Sequence, residues 1–182
     1  MKYRAICLDP GHGMGNRRPN VYDPGACAGK LEEASIAMDW VNELRAILQA
    51  RGHKVIRTRI NNSESCGVGE RAGIARDYGC DIMLSFHCNA ATGQATGTET
   101  FYRGDANRVM AQNINDALCE TLGLRNRGVK TESASQHSRL AVMSFQPCFL
   151  IELGFIDNPR DAMAMIDPEK RLAACSALAE LL

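Results

Sequence analysis

A histidine between two glycines, Gly11-His12-Gly13, follows an apolar run, Ile6 to Leu8, that ends at Asp9-Pro10. Three other stretches carry groups that could act with it. Glu32 and Glu33 stand at the head of a helical pattern, His87 closes the run from Ile82 to Phe86, and Glu152 closes the run from Phe149 to Ile151. Two histidines and a carboxylate are donor types of a hydrolytic zinc site, in which three protein ligands leave a fourth position for water. A further carboxylate beside such a site can act as general base. The flanking glycines let the chain turn tightly and bring the His12 ring close to a buried ion. Glu152 is the acid hardest to explain structurally, because a carboxylate ending an apolar strand is costly to bury unless it is paired, hydrogen-bonded or near a metal.

Adjacent helix residues diverge by about 100°, so only one of Glu32 and Glu33 can face a crevice. Ile36 and Trp40 share the buried face with Glu33, which favours Glu33 over Glu32. Acids in a first turn also have a plain structural explanation in the helix dipole. Of the other histidines, His53 follows a helix stop at Arg51-Gly52 and is expected at the surface, and His137 lies in a polar loop and is expected to be solvated.

The elements that must position these groups alternate. Residues 3–9, 54–59, 81–86, 98–102 and 148–152 read as strands, the fourth alternating as if half exposed. Helices are expected from Glu32 to a stop at Arg51-Gly52, over 68–78 and 105–122, near 160–166, and from Pro168 onward. Residues 10–31 and 125–138 read as polar loops, and a loop as long as the first is usually functional. This alternation predicts one α/β domain over residues 1–182, with a twisted, mostly parallel sheet and helices on both faces. Ligands gather at the carboxyl ends of strands in such sheets, which is where His12, His87 and Glu152 fall.

The 182 residues are enough for one domain with a real core. Net charge is +0, which gives no electrostatic case for nucleic acid or an anionic membrane. No apolar run approaches the ~20 residues of a membrane span. The start, Met1-Lys2-Tyr3-Arg4, reads as the entry to the first strand, so no secretory signal is expected there, as in a chain kept in the cytoplasm, released by a non-signal route, or trimmed. None of the eight cysteines forms a CxxC pair, so most are expected to be small core residues; Cys88, beside His87, could instead be a reactive thiol.

At these residues the sequence resembles the zinc-dependent N-acetylmuramoyl-L-alanine amidases of the amidase-3 family, which cut peptidoglycan. The resemblance runs from about Ile6 to Asp161. It is carried by Asp9-Pro-Gly-His-Gly13, Glu33 with its patterned helix, Thr58-Arg59, Arg71 with Ala75, and Ser85-Phe-His-Cys-Asn-Ala90. Gly97-Thr-Glu-Thr-Phe-Tyr102, Arg127-Gly-Val-Lys130 and Pro147 through Asn158 complete it.

The resemblance implies that His12, Glu33 and His87 bind one zinc per chain and that Glu152 is the catalytic acid. Asn89 and Arg139 become candidates for holding substrate. The implied reaction is hydrolysis of the amide between N-acetylmuramic acid and L-alanine, leading to cell-wall degradation and bacteriolysis. A carboxypeptidase acting on stem peptides and a non-catalytic wall-binding domain are the alternatives. Some periplasmic relatives carry a blocking helix before the closing motif, but only about twenty residues separate Lys130 from Glu152 here, so an open site is expected. A lone catalytic domain without a signal resembles a phage endolysin, cytoplasmic until a holin-type pore releases it, and equally an excised bacterial catalytic domain; a monomer is expected.

Overall fold

The computed structural model describes residues 3–135 and 137–182. Met1 and Lys2, assigned above to the entry of the first strand, and Gln136 of the polar loop lie outside the described residues.

A six-stranded sheet organises the chain. In spatial order it runs β6 (Lys54–Arg57), β1 (Ala5–Pro10), β7 (Ile82–Asn89), β10 (Cys148–Phe155), β8 (Thr98–Tyr102) and β9 (Asn126–Thr131). Every neighbouring pair is parallel except β10 with β8. The central strands are nearly continuous apolar runs because both faces are covered. One face carries α1 (Glu33–Ala50), α3 (Arg108–Leu122) and α5 (Pro168–Leu181), packed on Ile6, Leu8, Leu84, Phe86, Phe149 and Ile151. The other carries α2 (Arg71–Asp77) and a short 3-10 turn over Ala141–Ser144, packed on Cys7, Met83, Cys148 and Leu150. Trp40 is fully buried, and its indole Nε1 donates to the Met165 carbonyl at 2.9 Å, tying α1 to α4 (Pro159–Ile166). Asn158 and Asp167 cap α4 and α5, each followed by a proline at the first helical position.

Register aligns the chemistry. Glu152 pairs with His87 across β10 and β7, and with Glu99 across β10 and β8. Asp9 and Ser85 are paired on β1 and β7.

The α/β architecture is as expected, and several local expectations are corrected. The stretch at 10–31 is not simply a loop: β2 (Gly13–Met14) pairs with β3 (Tyr22–Asp23), and β4 (Cys27–Ala28) with β5 (Leu31–Glu32). Glu32 therefore ends a strand, where it accepts from the Tyr22 hydroxyl at 2.7 Å, and only Glu33 lies in the first turn of α1. The polar stretch after Leu124 contains β9, an edge strand whose polar side chains conceal it. Its register with β8 shifts between Thr98 and Thr100, where Gly128 takes a φ of 82°. β8 is buried throughout because β10 and β9 flank it and α3 covers it. The second helix starts at Arg71, leaving Val68 exposed beside the cleft. His53 is buried, its Nδ1 2.8 Å from the Tyr3 carbonyl oxygen. Seven of the eight cysteines are buried, Cys27 being the exception.

Candidate metal centre and cleft

The carboxyl ends of β1, β7 and β10 open onto a cleft of about 840 Å³ lined by His12, Glu33, His87 and Glu152. His12 directly follows the turn after β1 and has a φ of 59°, a left-handed conformation uncommon for a side chain with a Cβ. Its surroundings fix that conformation. The Arg71 guanidinium donates to the carbonyls of Pro10 at 2.8 Å and His12 at 2.6 Å. Arg59 donates to those of Pro10 at 3.0 Å and Gly11 at 2.8 Å. Both arginines are fully buried. Arg71 also meets Asp9 at 2.7 Å, and Asp9 accepts from the hydroxyls of Thr58 and Ser85. Burial alone would raise the Asp9 carboxyl, but Arg71 and the two hydroxyls hold it below its ordinary value.

Three donor atoms converge above this clamp. Glu33 Oε1 lies 3.0 Å from His12 Nε2 and 2.9 Å from His87 Nδ1, and the three ligand atoms lie within 4.8 Å of one another. Ligands of a tetrahedral zinc at about 2.1 Å stand about 3.4 Å apart, so two nitrogens and one oxygen at these separations suit that ion. Burial opposes charge on Glu33, but hydrogen bonds from His12 and His87 win and keep its pKa far below the usual range. Backbone amides of Ala26 and Cys88 donate to its two oxygens at 2.8 and 3.0 Å. For His12, burial lowers the pKa, and the contacts with Glu33 and Asp23 more than reverse this.

Two glycines make the convergence possible. A Cβ at Gly11 would lie 2.7 Å from both ring nitrogens of His87. A Cβ at Gly25 would lie 2.5 Å from Glu33 Oε2 and 2.7 Å from His12 Cδ2. Both positions demand the absence of a side chain.

Glu152 stands beside this trio with its Oε2 buried and without a hydrogen-bond partner. Burial, then the charges of Glu33 and Glu99, push its pKa well above the ordinary value. Its cross-strand neighbour Glu99 is the opposite case. Glu99 accepts from Lys130 at 2.6 Å, Arg127 at 2.7 Å and Asn89 at 3.1 Å, and these bonds outweigh burial and lower its pKa. Two adjacent carboxylates thus have environments that drive their pKa values apart, the usual mark of a divided acid–base assignment.

The structure brings His12, Glu33, His87 and Glu152 together as expected. Asn89 lines the cleft, bonded to Glu99. Arg139 and His137 line it too, on an exposed stretch. Cys88 is buried with its thiol pushed well above the ordinary value, chiefly by burial, which makes it a core residue and not a reactive thiol.

Residue-by-residue reading missed Asp23. Its Oδ2 is 3.1 Å from His12 Nδ1 and also accepts from Asn16 at 2.7 Å. A carboxylate on the far ring nitrogen fixes the tautomer that leaves the other nitrogen for a metal. A signal existed: the tripeptide Asp-Pro-Gly occurs twice, at 9–11 and 23–25, and both glycines abut the donors. The roles of Glu99, Arg127 and Lys130 were also missed, because nothing in their spacing reveals that β9 lies beside β8.

An α/β sheet with three convergent metal donors and an unpartnered carboxyl at its strand ends has the architecture of a metal-dependent hydrolase. Residues 6–181 match the family described as N-acetylmuramoyl-L-alanine amidase, and the chain belongs to that family. It is 30% identical to an uncharacterized cell wall amidase of Bacillus anthracis over 196 residues, covering 96% of this chain and 34% of that protein. It is 30% identical to the N-acetylmuramoyl-L-alanine amidase LytC of Bacillus subtilis over 165 residues, covering 87% of this chain and 30% of that protein. The chain thus spans about a third of the length of these two relatives. The catalytic domain of CwlV from Bacillus (Paenibacillus) polymyxa superposes with a TM-score of 0.84 at 20% identity, covering 98% of this chain and 95% of that one, a likeness of fold.

Proposed function

We infer that this protein hydrolyses the amide bond between N-acetylmuramic acid and L-alanine in peptidoglycan, using one zinc ion held by His12, Glu33 and His87. The observation that carries this reading is the convergence of His12 Nε2, His87 Nδ1 and Glu33 Oε1 beside Glu152, in a chain matched to the amidase family over residues 6–181. Zinc held by such ligands lowers the pKa of a bound water to about 7 and polarises a carbonyl. Glu152 then has the proton work. Its carboxylate accepts a proton from the attacking water and passes it to the departing L-alanine nitrogen. A raised pKa suits a group that must hold a proton between two transfers. Asp23 orients His12, and Asn89 and Arg139 supply polar contacts to the substrate.

Among the described residues, only two short 3-10 turns lie between β9 and β10, and no α-helix there covers the cleft. No helix among them is long and apolar enough to cross a membrane. The exposed cleft supports a site active without removal of a blocking segment, and with it an endolysin-like, lytic role.

The test is turbidity loss of a peptidoglycan suspension before and after chelation, paired with product analysis. Lysis that chelation abolishes and zinc restores, with new L-alanine amino groups on intact glycan, is the expected outcome. Release of a terminal amino acid from the stem would instead identify a peptidase, and no hydrolysis by folded, zinc-loaded protein would leave a binding domain.

A further inference from the structure

Glu99 and Lys130 stand together on the wall of the cleft, beside Glu152. Glu99 is buried and faces two cations, Arg127 and Lys130, on one oxygen. Arg127 is further engaged, its guanidinium lying 4.9 Å from the centre of the Phe155 ring. Lys130, its Nζ 6.0 Å from the centre of the Phe101 ring, is about a third exposed and lines the cleft with Glu99 and Glu152. An ammonium has three donors, and Glu99 is the acceptor the structure gives to Lys130. A partly exposed cation with unused donors at the edge of a reaction cleft fits a carboxylate of the bound molecule.

Substrate direction says which carboxylate. In the amidase reading, the scissile carbonyl faces the His12–Glu33–His87 centre and the departing nitrogen faces Glu152, which must protonate it. The stem peptide therefore leaves past Glu152, toward β8 and β9, and the sugar leaves the other way. The second stem residue, a γ-linked D-glutamyl unit, bears either a free carboxylate or a carboxamide. That group lies roughly two backbone steps, or about 6–7 Å, from the departing nitrogen. Glu99 is the cross-strand neighbour of Glu152 on β8, and Lys130, on β9 one strand further out, bonds Glu99 Oε2 at 2.6 Å. Lys130 therefore stands on the side of Glu152 that the stem would cross, within reach of its second residue.

We propose that Lys130, held by Glu99 and backed by Arg127, recognises the free carboxylate on the second residue of the stem peptide, so that carboxylate stems are preferred to carboxamide stems. This specificity role rests on the amidase reading above.

The test uses zinc-loaded protein and two sets of short glycan strands bearing L-alanyl-γ-D-glutamyl-L-lysine stems, identical except that one set carries the carboxamide. Release of L-alanine amino groups gives kcat/KM for each. The parent protein is expected to favour the carboxylate strands by roughly 10-fold or more. In Lys130→Met the ratio falls to near one, and Lys130→Arg, which keeps a cation, restores the preference. Lys130→Gln, polar but uncharged, also brings the ratio to near one, an independent check should Lys130→Met fold poorly. Equal rates in the active parent would overturn the proposal and leave the amidase reading intact. An unchanged ratio in Lys130→Met would remove Lys130 as the reader. Cleavage of neither strand would defeat the amidase reading and this proposal with it.

Discussion

Residues 10–32 and residues 132–147 line the same cleft but are held in different ways. In the first stretch, the carbonyls of Pro10, Gly11 and His12 are gripped by two buried guanidiniums, and Asp23 is bonded by Asn16 and by the Gly25 amide. In the second, two short 3-10 turns frame an exposed run that includes His137, Ser138 and Arg139. The difference suits the task proposed for each. Metal donors tolerate errors of only a few tenths of an ångström, so their backbone is over-determined. Groups that meet a large, variable substrate gain from a surface that can adjust, and exposed loops supply it.

The largest expected effect that could break this comparison is on stability. Arg71→Ala leaves Asp9 buried without its cation and should cost about 3–5 kcal/mol. Arg139→Ala removes an exposed group and should stay within about 0.5 kcal/mol of the parent. Denaturant titration measures both, and similar losses would show that the two stretches are not held differently.

Metal affinity sharpens the contrast. Gly11→Ala pushes the His87 ring aside, and Asp23→Ala removes the carboxylate that orients His12. Each should weaken zinc binding by about 10–100-fold in chelator competition. His137→Ala should leave zinc affinity at the parent value, and a comparable loss there would place a donor on the second stretch.

The smallest expected effect concerns Glu152. Its raised pKa means that the metal-free folded state holds this proton more tightly than the unfolded chain does. The stability this provides is complete below the ordinary glutamate range and is lost as pH rises through the folded value. Glu152→Gln removes that loss. The metal-free variant should be about 1 kcal/mol more stable than the parent near pH 8, or about 2–4 °C in Tm, with no difference near pH 4. Calorimetry at both pH values checks it, and a variant less stable than the parent near pH 8 would mean that Glu152 is satisfied within the fold.

Much of the candidate site was legible because its members close apolar runs near strand ends, and register aligns such positions. His87, Glu152 and the turn before His12 were found in this way, and helix phase separated Glu33 from Glu32. The strands that were missed or misjudged carry little apolar signal. β9 reads Asn126-Arg-Gly-Val-Lys-Thr131 and sits at an edge with one neighbour. The strands within residues 13–32 have only two residues each, too short for any period to show. With β9 unseen, the pairing of Lys130 and Arg127 with Glu99 could not be anticipated. Asp23 required knowing that β3 folds back onto β2, a pairing that periodicity does not encode.

The central claim is that three donors hold the metal and Glu152 does not. Zinc content after dialysis, measured in parallel on the parent, His12→Ala, Glu33→Ala, His87→Ala and Glu152→Gln, tests it most directly. About one zinc per chain is expected in the parent and in Glu152→Gln, with none in the other three. Full zinc in any of the three, or its loss from folded Glu152→Gln, would contradict the assignment.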